Sequence, residues 1–357
     1  MIKLQQPEKG YILKLRRHNS PVQIRRTFLN KVSMKEIFGL LLLVFLSLPV
    51  FADNYSLTQK EQQLIFEEAE NWIDDMPEGI GDRLSDAINH ATHGFYNEVE
   101  YFRNMADTTG IGKYSVRVKD INGGNGQDIP MRIYESSSSK DSPLLIYFHG
   151  GGWSLGSIKV SDKFCRALAS MGKVKVVSVE YPLAPEKPYP SAVIKCVDAV
   201  KYIFNKSSEW GFSTNNISLG GDGAGGNIAL ETYSRLPSNN KIQSLVLYYP
   251  LLETTGRLDP SSKREYGRGY GFDSRLWESF INAYNGNDPK YPDLLPPTLI
   301  IGAGRDIIID EVKNFGLSSP EIKYIEFEGA IHGFITDGHQ TSAFKKAVEL
   351  TDLFLTK

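Results

Sequence analysis

The chain has 357 residues, 41% of them hydrophobic, with 32 Gly and 18 Pro, which suits one large α/β domain with small additions. A formal net charge of −2 excludes the basic bias of a nucleic-acid binder or of a protein drawn to anionic membranes. Two cysteines without a Cys-x-x-Cys pair, and six scattered histidines, give no metal-ligand spacing, so neither a metal nor another cofactor is expected.

Residues 1–33 hold eight Lys or Arg against one Glu, and the sixteen residues IFGLLLLVFLSLPVFA, 37–52, carry no charge. Sixteen falls short of the roughly 20 that a spanning helix needs. The run reads as a signal peptide ending in Val50-Phe51-Ala52 before Asp53, with an anchor through residues 37–52 as the alternative. Met34 as the start would leave a compact signal, whereas Arg25-Arg26-Thr27-Phe28-Leu29 resembles a twin-arginine motif and needs the upstream residues. Either route predicts an exported protein, periplasmic or secreted.

From Asp53 to about Gly112 the pattern is helical. Thr58 and Glu61 form a capping-box signature before Leu64, Ile65, Ala69, Trp72, Ile73 and Met76 on one face, and a second helix is expected from roughly Asp82 to Met105. KYSVRVKDI and IPMRIYES then alternate as antiparallel strands around the turn-rich NGGNGQD, and SSSSKDS at 136–142 reads as a flexible loop. Short apolar strands next alternate with helices: SPLLIYFHGG, VKVVSVEY, NISLGGD, IQSLVLYYPLL, PPTLIIGAG and EIKYIEFEG are the strands. A polar, aromatic-rich insertion spans Glu253 to Leu294, and a final helix runs from about Thr341 to Phe354. This alternation predicts an α/β fold with a mostly parallel, twisted sheet and helices on both faces, its ligands beyond the carboxyl ends of the strands.

Three motifs fall at such ends. Tyr147 to Trp153, YFHGGGW, places His149 and three glycines, Gly150, Gly151 and Gly152, directly after a strand, where backbone N–H groups can reach an anionic oxygen. Ser218 to Asn227, SLGGDGAGGN, passes from strand to helix through Gly221, Asp222, Gly223, Ala224 and Gly225. VEYPLAPEKPYP, 179–190, is the third.

Together these resemble the hormone-sensitive-lipase-like esterases of the α/β-hydrolase superfamily, whose corresponding segments read HGGG, G-D-S-A-G-G-N and Y-R-L-A-P-E-x-x-[FY]-P, and the likeness runs from about Tyr114 to the carboxyl terminus. The resemblance implies an α/β-hydrolase fold under a helical cap. Residues 1–52 would be the targeting segment, 53–112 the amino-terminal cap region, and 113–357 the hydrolase domain with a cap insertion at about 253–294. By the same resemblance, GAGRDIIIDE makes Asp306 the acid and GAIHGF makes His332 the base, while the amides of Gly151, Gly152 and Ala224 form the oxyanion hole. Gly223 stands where the family keeps its nucleophilic serine, and no acyl-enzyme can form on a glycine.

The expected function is therefore a carboxylic-ester hydrolase for short-to-medium acyl esters, impaired or inactive. The alternative is a pseudoenzyme that binds a small ester or related apolar ligand in the capped pocket. Ser218, inside a strand, and Asp222, which the resemblance implies points away from the pocket, are poor substitutes for the nucleophile. His149, Tyr181 and Glu186 read as loop-packing groups, and His90 and His93 as solvated. His339 and Asp337 have no evident role. Tyr266, Tyr270, Phe272, Trp277, Phe280 and Tyr284 suit either an acyl pocket or cap packing. Cys165 and Cys196, on different helices that the implied fold places on opposite faces of the sheet, read as buried free thiols.

Overall fold

The apolar residues of the central strands alternate cleanly between two cores. Leu144, Ile146 and Phe148 pack on one side of the sheet with Leu219, Leu247 and Ile300. Their neighbours Leu145 and Tyr147 pack on the other with Val246, Tyr248 and Ile301. A strand buried on both faces is apolar along most of its length, which is why LLIYF and SLVLY show no polar alternation.

The computed structural model describes residues 55–107, 114–123, 128–136, 142–238, 241–257, 260–287, 291–292 and 294–357, with two short strands near the amino terminus. The chain divides into two units, residues 1–54 and 55–357. In the first, β1 (Leu4–Gln5) pairs antiparallel with β2 (Ile12–Leu13). Met34, the arginine pair and the apolar run 37–52 lie outside the described residues, as do 137–141 of the expected flexible loop. No helix among the described residues is long and apolar enough to cross a membrane.

The second unit is built on eight strands: β3 (Arg117–Asn122), β4 (Pro130–Glu135), β5 (Leu144–Phe148), β6 (Lys175–Val179), β7 (Ile217–Asp222), β8 (Ser244–Tyr248), β9 (Thr298–Arg305) and β10 (Ile322–Ile331). Their order across the sheet is β10-β9-β8-β7-β5-β6-β4-β3. β4 runs antiparallel to both of its neighbours, and β6, β5, β7, β8, β9 and β10 are mutually parallel.

Helices cover both faces of the sheet. Ala192, Cys196, Ala199 and Ile203 of α5 (Ser191–Trp210) and Ile228 and Leu230 of α6 (Ala224–Arg235) join the first core. Phe164, Cys165 and Leu168 of α4 (Ile158–Ser170) and Phe344, Ala347 and Val348 of α10 (Thr341–Leu355) join the second. Cys165 and Cys196 are accordingly buried, unpaired and on opposite faces.

At the amino-terminal end, α1 (Gln59–Asp75) begins at the anticipated capping box, with Thr58 and Glu61 bonded reciprocally. The side chain of Gln62 pairs with the backbone of Glu326 and Glu328 on the β10 edge, satisfying groups that an edge strand leaves open. The single helix expected over 82–105 is instead two, α2 (Ile80–Thr92) and α3 (Asn97–Asp107), because the chain turns at Gly94 with φ +88°. The 253–294 segment contributes α7 (Pro260–Tyr266) and α8 (Ser274–Tyr284). Ala87, Ile88 and Ala91 of α2 share a core with Leu276, Trp277 and Phe280 of α8, and Arg275 bonds Asp82 and Asp86 at 2.8 and 2.5 Å. A short α9 (Ile309–Gly316) follows β9.

Candidate active site

Because β5 lies beside β7, with Phe148 opposite Gly221, the loops that leave these two strands emerge side by side. Asp222 ties them together. Buried at the end of β7, its carboxylate accepts from the amide of Gly150 at 2.9 Å and from the Tyr147 hydroxyl at 2.6 Å. Loss of solvent pushes this carboxyl above its usual range, while the Tyr147 hydroxyl and the Gly150 amide act in the opposite sense. Asp222 thus anchors the glycine loop and is itself unavailable as a nucleophile. Ser218 is equally committed, its hydroxyl 2.7 Å from that of Ser244 inside the sheet.

The glycine loop is held from both sides. His149 stacks on Tyr181 with ring centroids 4.1 Å apart, and its Nδ1 lies 2.9 Å from the carbonyl of Gly150. The Tyr181 hydroxyl donates to the carbonyl of His149. Arg103 of α3 donates to the carbonyls of Ser154 and Ala184 and pairs with Glu186. His149, Tyr181 and Glu186 are therefore loop-fixing residues, in keeping with their sequence reading. Arg103 carries no sequence signature of this role. The amides of Gly151, Gly152 and Ala224 donate to no protein acceptor among the described residues. Ala224 opens α6, and the amide of a first helical residue has no carbonyl one turn earlier to bond.

Gly223 sits at the sharp bend between β7 and α6 with φ +52° and ψ −117°. Its amide bonds the carbonyl of Tyr248 and its carbonyl accepts from Leu251, both at 3.0 Å, so the bend is fixed by backbone alone. L-residues adopt this conformation only under strain, which glycine relieves. Around it, side chains are excluded by packing. A Cβ on Gly221 or Gly225 would collide with the Phe148 carbonyl, and one on Gly152 with the Phe280 ring. Gly223 is different: a Cβ there would stand 3.3 Å from Nε2 of His332 and 4.0 Å from the Tyr249 ring.

His332 follows β10 and Asp306 follows β9, two parallel neighbours whose ends bring the pair together. His332 Nδ1 lies 2.6 Å from Asp306 Oδ2, and the other Asp306 oxygen accepts from the amide of Ile308 at 3.2 Å. The carboxylate is 1% exposed and the imidazole 17%, so the acid is sealed while the ring keeps an opening. A proton on Nδ1, held by Asp306, leaves the Nε2 lone pair facing the space above Gly223. This geometry can remove a proton from a group placed there and return it to a leaving alcohol.

Two aromatic rings brace the imidazole: Tyr249 at 4.6 Å and Phe272 at 4.3 Å between centroids. Tyr249, with φ +34°, also receives the amide of Ile335 on its hydroxyl. The sequence offered Tyr249 only as part of an apolar strand. Of the six aromatics of the insertion, Phe272 and Phe280 face the site, Tyr284 stacks on Trp153 at 4.3 Å, and Tyr270 lies over Arg305. Asp337 and His339 acquire a role: Asp337 receives the amides of His339 and Gln340, and Gln340 in turn receives the amide of Ile331, closing the turn that carries His332. A cavity of about 280 Å³ lined by Trp72, Met76, Ile80, Leu84, Leu276 and Gly271 adjoins this region, Gly271 preceding the Phe272 that packs on His332.

Behind Asp306, Glu311 lies against the amide of Leu252 at 3.4 Å. Withdrawal from water pushes its carboxyl up to about 8, assisted by the negative charges of Glu253 and Asp306.

A parallel sheet with a strand-to-helix bend, a glycine loop beside it and a carboxylate–imidazole pair facing it defines an α/β-hydrolase-type protein. Residues 145–336 match the family described as alpha/beta hydrolase fold, and the chain belongs to this hormone-sensitive-lipase-like family. It is 36% identical to an arylesterase of Saccharolobus solfataricus over 227 residues, 58% of this chain and 73% of that one. It is 34% identical to Carboxylesterase NlhH of Mycobacterium tuberculosis over 179 residues, 49% of this chain but only 56% of that relative's length. The hyperthermophilic esterase of Pyrobaculum calidifontis superposes with a TM-score of 0.67 at 27% identity, covering 74% of this chain and 95% of the other.

Proposed function

We propose that the protein is a carboxylic-ester hydrolase for short-to-medium acyl esters in which Gly223 occupies the nucleophile position, so that water replaces the missing serine. The observation that carries this reading is the space at Gly223. A Cβ on Gly221, Gly225 or Gly152 would stand 2.4 Å or less from its nearest neighbour, whereas one on Gly223 would make a tight 3.3 Å contact with Nε2 of His332, so a side chain there meets the imidazole. Esterase relatives support the substrate class.

In the proposed reaction, Asp306 holds the imidazole and His332 Nε2 takes a proton from a water above Gly223 as the water oxygen bonds the ester carbonyl carbon. The amides of Gly151, Gly152 and Ala224 receive the oxyanion. Collapse breaks the bond to the alkoxy group, which leaves with the proton from His332. Without a tethered nucleophile, an advantage of about 10³–10⁴-fold over water remains from the oxyanion hole and binding. Gly223→Ser should raise turnover of p-nitrophenyl acetate by at least about 1,000-fold. A well-folded Gly223→Ser protein no faster than its parent would overturn the assignment.

A second reading is a binding protein without turnover, for which the open groove of about 280 Å³ between α1, α2 and α8 offers an apolar surface apart from Gly223 and His332. A small apolar ligand that raises the Tm while no ester is hydrolysed would decide for it. The proposed export rests on residues 37–52 and is tested by fractionating cells that produce the full chain.

A further inference from the structure

The groove between α1, α2 and α8 joins apolar walls to uncompensated negative charge. Its volume of about 280 Å³ lies close to the roughly 300 Å³ at which small-molecule sites begin. Trp72, Met76, Leu84 and Leu276 form its walls, and Asp75 and His339 are its ionisable groups. Trp72 and Asp75, three apart on α1, share one face of that helix. Gly271 steadies the indole: a Cβ there would stand 2.6 Å from Trp72 Cη2, so the ring lies directly against the bare backbone of that turn. Among the described residues no cation lies over the indole, and the Asp75 carboxylate has neither a hydrogen-bond nor an ion-pair partner.

The surrounding charge has one sign. Residues 70–86 carry Glu70, Asp74, Asp75, Glu78, Asp82 and Asp86 against Arg83 alone. Arg305 neutralises Glu70, and Arg275 neutralises Asp82 and Asp86. Asp74, Asp75 and Glu78 keep their charges without a partner among the described residues. α1 ends at Asp75, and its last turn holds no basic residue. The carboxyl end of a helix carries a partial negative charge, which favours a cation and disfavours aspartate. A positive ligand in the groove would relieve that arrangement, and the face of an indole attracts the same sign. Walls of Met and Leu select a cation whose charge is spread over methyl groups, since a primary ammonium is too strongly hydrated to enter.

We infer that this groove binds a small organic cation of the quaternary ammonium class. Its charged head lies over Trp72 and beside Asp75, and its apolar remainder lies against Met76, Leu84 and Leu276. Gly271 touches Trp72 and the next residue, Phe272, packs on His332, so the site adjoins the Asp306–His332 pair without including it.

The test is calorimetric titration of the full chain with benzyltrimethylammonium and, separately, with the uncharged 3-phenyl-1-propanol, at pH 8, where histidine side chains ordinarily carry no charge. Trp72→Leu, Trp72→Phe and Asp75→Asn are titrated alongside, each confirmed as folded by circular dichroism. The parent should bind the cation at least about 10-fold more tightly than the alcohol. Trp72→Leu keeps the wall apolar but removes the aromatic face, so it should weaken the cation about 5–10-fold, and Trp72→Phe should weaken it less. Asp75→Asn should weaken it about 2–4-fold. Affinity for the alcohol should stay within about 2-fold throughout, because each variant preserves most of the apolar wall. Equal binding of the two probes by the parent, no heat from the cation up to about 10 mM, or full cation affinity in folded Trp72→Leu overturns the inference. Should Trp72→Leu not fold, full cation affinity in both Trp72→Phe and Asp75→Asn overturns it equally. No ester enters this measurement, so its outcome and that of the Gly223→Ser turnover assay are read independently.

Discussion

On the proposed reading, a single hydroxymethyl group at position 223 separates two chemistries. A Cβ on Gly223 would stand 3.3 Å from Nε2 of His332, and Asp306 holds Nδ1 of the same ring at 2.6 Å. Replacing His332 by Ala removes the imidazole nitrogen that faces Gly223, so the proposed ester turnover should fall to the buffer rate in a sensitive fluorogenic assay. Asp306→Asn leaves the ring without its anionic partner, and turnover of Gly223→Ser should drop by about 10⁴-fold in that background. These residues were legible in the sequence because each lies in a short stretch, GDGAGG, GRDIIID or AIHGF, whose spacing the family shares. Tyr249 and Arg103 were not legible. Their roles depend on a positive φ after β8 and on a helix reaching the glycine loop, and neither leaves a local pattern.

Among the elements, Asp222 links the two loops that shape the site. Truncating it to Ala strands the Tyr147 hydroxyl and the Gly150 amide without an acceptor. Two buried donors left unpaired should lower stability by about 2–4 kcal/mol in urea unfolding, even though a costly buried carboxyl is removed. The helices over the sheet are joined differently. Arg305 of β9 lies between the rings of Phe66 and Tyr270 and pairs with Glu70, so one side chain bridges α1 and the 253–294 segment. Arg305→Ala should cost about 1–2 kcal/mol and open both elements to limited proteolysis before the sheet is cut. The strands and most helices could be read from apolar runs and a capping box. The break at Gly94 could not, since the apolar spacing continues through it and only the left-handed backbone there divides α2 from α3.

For the whole molecule, the parallel sheet carries Gly223, Asp306 and His332 on three connections that leave β7, β9 and β10 at the same edge. That edge was legible from strand–helix alternation, but the sheet order and the antiparallel β4 come from long-range pairing that no local pattern encodes. Burial beneath this edge also sets a pH dependence. Glu311 holds its proton up to about 8 in the folded chain against 4.5 when unfolded. The unfolded chain therefore releases this proton first, and stability falls as pH rises between those values, by about 1.4 kcal/mol per pH unit from this group alone. Glu311→Gln should flatten that decline in Tm between pH 5 and about 8, leaving the two proteins alike at the acid end.

Covalent labelling reaches the central claim most directly. Parent, Gly223→Ser and the Gly223→Ser/His332→Ala double variant are treated with a fluorophosphonate and weighed intact by mass spectrometry. Gly223→Ser should take up one phosphonyl group per chain, mapped to position 223, while the parent stays unlabelled and the double variant reacts slowly at best. Labelling of the parent at another residue, or an inert Gly223→Ser protein that is fully folded, would contradict the account.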